Sequence, residues 1–282
     1  MSYIIFTAGD CPRCKIAKRF MTERGIGYEE IDIKGGGMDT FRQFYGANRS
    51  AIFRGKDGIE FPVLTDGAAV RQGVGVIIGY LTAGTALDSF IGRSQLSEGW
   101  IDGLNISGGD PPLTEQLVAV LSFLKKTGLR LHLDTNGKNA SVLQRLLEEE
   151  LGDRVIMDVK GPLALYGKLL GKEIDPDEIK KTISLVPKFP KYGFQTTIVP
   201  VVREEGEKSE ISYLTPMEIG ETARLIKDIT GSHNEPYLLR IFDQDACSDE
   251  RMKIVEKLPH NAVYKYRTAA QEYLVRTEIE KN

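Results

Sequence analysis

The chain has 282 residues, a net charge of −3 and 41 % hydrophobic residues, a length that suits two domains, each able to bury a core. The near-balanced charge argues against a nucleic-acid or membrane-surface partner, and no stretch approaches the roughly 20 apolar residues that span a bilayer. Three cysteines are too few for a disulfide scaffold and no signal peptide is visible, so a cytoplasmic location is expected.

In chain order, a strand is expected over Tyr3–Ala8, a helix over Lys15–Arg24 that stops at Gly25, and a strand over Tyr28–Ile33. A helix near Met38–Tyr45, a short strand headed by Pro62 within Phe61–Gly67 and a helix over Val74–Leu81 follow. A proline in that position suits a cis X-Pro bond. Residues 82–99 read as a linker with a short helix at Ala86–Ile91. Beyond it, strands at Ile101–Ile106, Leu129–Leu133, Val155–Val159, Phe194–Val201 and Tyr237–Phe242 alternate with helices. Those helices are expected at Thr114–Thr127, Ala140–Leu151, Leu163–Leu170, Asp177–Val186 and Pro216–Thr230, with Thr114 and Thr215 as N-caps. Arg203–Glu210 reads as a solvated loop, and the end as helical near Thr268–Glu280. Such alternation implies βαβ units, a parallel sheet and right-handed crossovers. The expected division is residues 1–84, a linker over 85–99, and residues 100–282.

The most informative motif is Cys11-Pro12-Arg13-Cys14, where the first strand runs into the first helix. A cysteine at a helix N-terminus meets unsatisfied N–H groups and the positive end of the macrodipole, which favour thiolate over thiol. Lys15, Lys18 and Arg19 add positive charge nearby. Zinc sites use the same C-x-x-C spacing, but His132, His233 and His260 share no spacing with it or each other, and no metal site is expected.

The order strand, C-x-x-C, helix, strand, helix, proline-headed strand over residues 1–84 resembles glutaredoxin and the related small redoxins. The resemblance implies a thioredoxin-like fold in which Cys11 attacks a disulfide, Cys14 resolves the mixed disulfide and the Pro62 loop holds the partner's backbone. The glycine pair and acid that hold glutathione in typical glutaredoxins have no clear counterpart after Thr65.

In the second half, three strand ends carry glycine or polar residues: Ser107-Gly108-Gly109-Asp110-Pro111, Asp134-Thr135-Asn136-Gly137 and Asp158-Val159-Lys160. Ligands of parallel sheets bind at such ends. Together they resemble the activating-enzyme branch of the radical S-adenosylmethionine proteins, the activases of pyruvate formate-lyase and anaerobic ribonucleotide reductase. The resemblance implies an incomplete parallel (β/α) barrel with Gly108, Gly109, Asp110, Asp134, Asn136, Asp158 and Lys160 near a bound ligand. Asp110 stands where the family has glutamate. The family's C-x3-C-x2-C cluster motif is absent from residues 85–246, leaving Cys247 alone after the last strand. The family's first barrel strand also has no counterpart, so the sheet starting at Ile101 has an edge that must be covered.

The expected activity is thiol–disulfide oxidoreduction by the C-x-x-C pair, coupled to a domain that binds a partner or small molecule. The expected partner is a protein disulfide or thiol, with a ribonucleotide reductase-type enzyme suggested by resemblance alone, and no resident cofactor is expected. The alternatives are an activating enzyme that uses S-adenosylmethionine and an atypical iron–sulfur cluster, and a non-catalytic adaptor with a remnant barrel.

Overall fold

A computed structural model of the chain describes residues 2–55, 58–92, 100–171, 173–205, 208–245, 247, 249–259 and 261–280. Contacts divide it into Met1–His132 and Leu133–Asn282. Among the described residues no helix is long and apolar enough to cross a membrane.

The first unit opens with β1 (Tyr3–Thr7), α1 (Pro12–Glu23), β2 (Tyr28–Asp32) and α2 (Met38–Ala47). The two-residue strands β3 (Arg54–Gly55) and β4 (Gly58–Ile59) form a small hairpin. Next come β5 (Val63–Thr65), β6 (Val70–Gln72) and α3 (Val74–Ala83). Helix α1 forms because Pro12 supplies a fixed φ at its first position and Cys11 caps it. Its Cys14, Ala17, Phe20 and Met21, at helical spacing, are buried. The sheet runs β2-β1-β5-β6, with β1 parallel to β2 and antiparallel to β5, and β5 antiparallel to β6. This is the expected thioredoxin-like arrangement. One face carries an aromatic core, in which Phe6 lies 5.2 Å from Phe41 and 4.7 Å from Phe44 between ring centroids.

The expected helix at Ala86–Ile91 is instead a single 3-10 turn over Gly84–Leu87. After it the chain extends: Ile91 makes an antiparallel bridge to Leu104, and the Asn105 amide donates to the Phe90 carbonyl at 2.8 Å. Leu104 and Asn105 belong to β7 (Trp100–Asn105), which precedes α4 (Thr114–Lys126). The edge that the sequence leaves uncovered is thus met by the chain's own residues 90 and 91. Burying Phe90 completely contributes about 2–3 kcal/mol. Farther along, the Phe20 ring of α1 meets the Phe123 ring of α4 edge-on at 4.9 Å, with the Arg24 guanidinium 3.7 Å over Phe20. Residues 93–99 of the expected linker lie outside the described residues.

From β8 (Arg130–Thr135), through which the division passes, strands and helices alternate as expected: α5 (Ala140–Glu148), β9 (Arg154–Asp158), α6 (Leu163–Leu170), α7 (Pro176–Leu185) and β10 (Tyr192–Ile198). A hairpin, β11 (Pro200–Glu205) and β12 (Lys208–Tyr213), leads to α8 (Pro216–Thr230), β13 (Tyr237–Ile241), the short α9 (Glu250–Lys253), α10 (Val263–Gln271) and β14 (Thr277–Ile279). The main sheet has six strands in the order β14-β13-β10-β9-β8-β7, parallel at the pairs β9–β10, β10–β13 and β13–β14. Strand β7 lies at one end of this order and β14 at the other, so the sheet is open.

Three local expectations are corrected. Thr114 is not an N-cap: Leu113 holds that place, and the Thr114 hydroxyl turns back to the Pro111 carbonyl. Of the expected loop Arg203–Glu210, residues 203–205 and 208–210 pair as strands of the β11–β12 hairpin, and residues 206 and 207 lie outside the described residues. Its high charge hides the pairing, because Arg203 is spent on α8, donating to both Glu218 oxygens at 2.8 Å and to Ser212 Oγ at 2.7 Å. The terminal helix ends at Gln271, and the chain then pairs Thr277 with Tyr237 as β14. A three-residue strand carries no readable periodicity.

At Glu218, burial pushes the carboxyl up, but Arg203 and the Thr215 amide outweigh it and hold the group below its ordinary value. Thr215 and Glu218 form the expected capping box. Replacing Arg203→Ala removes charged hydrogen bonds and is expected to cost about 2 kcal/mol. Urea unfolding checks this, and an unchanged midpoint would mean that the hairpin is not held by this fork.

Candidate functional site

The end of β1 delivers the C-x-x-C to the start of α1. Cys11 is the N-cap residue, in extended conformation, and its sulfur accepts the Cys14 amide at 3.1 Å. The two cysteines form a disulfide. They differ in access: Cys11 is partly exposed, whereas Cys14 is 1 % exposed. A sulfur that receives an N–H at a helix N-terminus is stabilised as thiolate once the pair is reduced. The cations expected to help are already paired. Lys15 faces Asp10 at 3.4 Å, Lys18 faces Glu30 at 2.7 Å and Arg19 faces Glu23 at 2.6 Å. The donor that the structure places directly on the Cys11 sulfur is the Cys14 backbone amide.

The Phe61–Pro62 peptide bond is cis, and the Phe61 carbonyl oxygen lies 3.7 Å from the Cys11 sulfur. Pro62 therefore adjoins Cys11, where the resemblance to small redoxins puts it. Two residues that sequence reasoning missed hold this loop. The Phe61 ring packs on Phe41 at 5.1 Å. Gln72, buried in β6, accepts from the Phe53 amide at 2.8 Å and donates to the Phe53 and Glu60 carbonyls, both at 3.0 Å. A buried glutamine two residues before a helix leaves no motif; only its partners, 12 and 19 positions away, reveal it.

Beside this loop, Asp66 accepts Tyr80 Oη–H at 2.5 Å and the Ala68 and Ala69 amides at 2.9 and 2.8 Å. The Tyr80 hydroxyl and then the two amides hold its carboxyl at about 2. The Arg71 guanidinium lies 4.6 Å over the Tyr80 ring and pairs with Asp88 at 3.0 Å.

The strand-end residues of the second half lie where the alternation puts them. Gly108, Gly109 and Asp110 follow β7, in the first unit. In the second unit Asp134 and Asp158 sit at the carboxyl ends of the neighbouring strands β8 and β9, with Asn136 and Lys160 just beyond. Lys160 Nζ contacts Asp158 Oδ2 at 2.5 Å, while the buried Oδ1 has no hydrogen-bond partner among the described residues. Around these ends a buried polar framework is satisfied internally. Tyr166 donates to the Asn136 carbonyl at 3.0 Å, Tyr237 to Thr196 at 2.7 Å, and Thr196 to the Val159 carbonyl at 2.6 Å. Burial pushes both tyrosines well above their ordinary values, so they serve here as neutral donors. Cys247 stands apart after β13, its sulfur 3.8 Å from the Asp249 carbonyl. No group of three or more metal-ligating side chains occurs among the described residues.

No family model matches the chain. A Methanocaldococcus jannaschii protein provisionally named a glycyl-radical enzyme activating enzyme is 26 % identical over 179 residues, covering 61 % of this chain and 68 % of that protein. The solved glutaredoxin-like NrdH-redoxin of Escherichia coli is 30 % identical, covers 26 % of this chain and 84 % of its own, and gives a TM-score of 0.21. A domain of pyruvate-formate lyase-activating enzyme from Bacteroides vulgatus is 14 % identical, covers 63 % of this chain and 98 % of its own, and gives a TM-score of 0.42. With the two sheets described above, the chain joins a redoxin-like part to a part similar to a glycyl-radical enzyme activating enzyme.

The folded value of Asp66 lies below that of an unfolded aspartate, near 3.9. Its contribution to stability is therefore complete above about pH 4 and lost as pH falls toward 2. Asp66→Asn should melt lower than the wild type at pH 7 and lose less stability between pH 4 and 2. Parallel acid-limb slopes in thermal melts of the two proteins would rule out this role.

Proposed function

We propose that the chain is a thiol–disulfide oxidoreductase whose redox pair, Cys11 and Cys14, serves a protein partner bound by the activase-like part. The observation that supports this reading most is the asymmetry of the pair: an accessible Cys11 sulfur receiving an amide at a helix start, and a buried Cys14. The Cys11 thiolate attacks one sulfur of a partner disulfide, forming a Cys11–partner bond and expelling the other partner sulfur as thiolate. The Cys14 thiolate then attacks the Cys11 sulfur, releasing the second partner thiolate and leaving the Cys11–Cys14 disulfide. A dithiol donor returns the pair to the reduced state with two electrons and two protons. The Phe61 carbonyl beside Cys11 offers an acceptor to the partner's backbone. By resemblance, the partner is an enzyme of the ribonucleotide-reductase or glycyl-radical type.

A second reading is favoured by the Methanocaldococcus relative: an activating enzyme. The residues answer this unequally. The buried Asp158 oxygen, partnerless among the described residues, fits an amine or hydroxyl donor of a ligand such as S-adenosylmethionine, while Lys160 is paired with the other Asp158 oxygen. A cluster held by three thiolates does not fit. Two of the three cysteines are joined in the redoxin-like part, and the spacing C-x3-C-x2-C is missing, so no radical step is derived. Iron and sulfide reconstitution under anaerobic conditions, read by visible absorption, separates this reading from the first, and the absence of any disulfide exchange would favour the adaptor reading.

The exchange reading is tested by three measurements on the reduced protein. Cys11 should be alkylated before Cys14 at neutral pH. Cys14→Ser should accumulate a mixed disulfide with a disulfide-bonded protein such as insulin, read by mass. Cys11→Ser should lower insulin reduction at least about 100-fold, the loss expected when the attacking thiolate is removed. Faster labelling of Cys14, or exchange that survives Cys11→Ser, would defeat the assignment.

A further inference from the structure

We infer that Leu87–Ile91 is a strap that docks against the Gly108–Gly109 turn and joins the redoxin-like part to β7 and α4 as one body. The glycines carry the argument. Neither Gly108 nor Gly109 has a positive φ, so backbone conformation does not demand glycine at either place. Space does. A Cβ on Gly108 would sit 2.6 Å from the Ser89 carbonyl oxygen, and one on Gly109 would sit 2.1 Å from the Phe90 ring. The turn that the family likeness assigns to a ligand is therefore shaped, on its Cβ side, by two residues of this chain.

The other side of the strap is fitted in the same way. Gly79 lies inside α3, where glycine weakens a helix, yet a Cβ there would meet Ile91 Cδ1 at 3.2 Å and Leu87 Cβ at 3.9 Å. Leu87, Phe90 and Ile91 are all buried. Backbone pairing to Leu104 and Asn105 and the Asp88–Arg71 ion pair fix the strap's register at its two ends. Glycines on two separate elements thus admit one five-residue segment. A flexible tether would need neither glycine, nor burial, nor strand pairing. The redox pair is accordingly carried on a fixed arm, and this holds whether or not Cys11 and Cys14 perform exchange.

The test uses the full chain with a specific protease site inserted between Leu96 and Ser97. After nicking, the two pieces of the wild-type protein should co-elute on size exclusion. Phe90→Ala should raise the dissociation constant between the pieces at least tenfold, and Gly109→Ala, which drives a methyl into the Phe90 ring, should do likewise. Phe90→Leu keeps an apolar side chain in the socket and should give an intermediate loss, which guards against simple misfolding. Gly46→Ala, a site with open space around it, should match the wild type. Wild-type pieces that part on nicking, or Phe90→Leu and Gly109→Ala pieces that stay joined as tightly as the wild type, would overturn the strap.

Discussion

A parallel sheet has no natural end. Its last strand presents a row of N–H and C=O groups that water can satisfy but that other chains can also capture. At the β7 edge of this sheet, two of the described residues, Phe90 and Ile91, meet the strand through a backbone hydrogen bond and a bridge. Much else follows from that contact. The residues that reach the edge are the continuation of α3, so the redoxin-like part is drawn against β7 and α4. The aromatic meeting of Phe20 and Phe123 then has a reason to exist. The division between units consequently falls inside β8, and not at the foot of α3.

Much of this architecture was legible in the sequence, because alternation of strands and helices is a long-range signal that survives errors at element ends. The Cys11–Cys14 motif and Pro62 were legible for a different reason: each is a residue type whose chemistry restricts where it can stand. What could not be read depends on partners distant in sequence. Gln72 is one polar residue among many until Phe53 and Glu60 are seen around it. The cations near Cys11 read as a positive field until Asp10, Glu30 and Glu23 are found beside them. Arg203 read as solvated because its partner lies 15 residues on, at the start of α8. Strand β14 was missed because three residues cannot display a period.

The candidate ligand residues of the second half pose a different balance. Tyr166, Tyr237 and Thr196 satisfy one another and the strand-end carbonyls, so that framework is complete without a ligand. Asp158 is the exception, with one oxygen on Lys160 and one with no partner among the described residues. Burying a carboxylate oxygen unbonded costs free energy, and a lysine alongside offsets only part of it. Sequence-level likeness to an activating enzyme therefore coincides with a local imbalance at Asp158, whereas the spacing C-x3-C-x2-C does not occur in the sequence.

The unequal exposure of the Cys11 and Cys14 sulfurs has a consequence for how an oxidant would meet them. A peroxide that reaches the pair in its reduced form meets Cys11 first and converts it to a sulfenic acid. Cys14, shielded from the same oxidant, can displace hydroxide from that sulfur and close the disulfide with loss of water. The damage stops at a state that ordinary thiols reverse, one step short of the sulfinic acid that they do not. Burial of the second sulfur thus acts as a safeguard for the first.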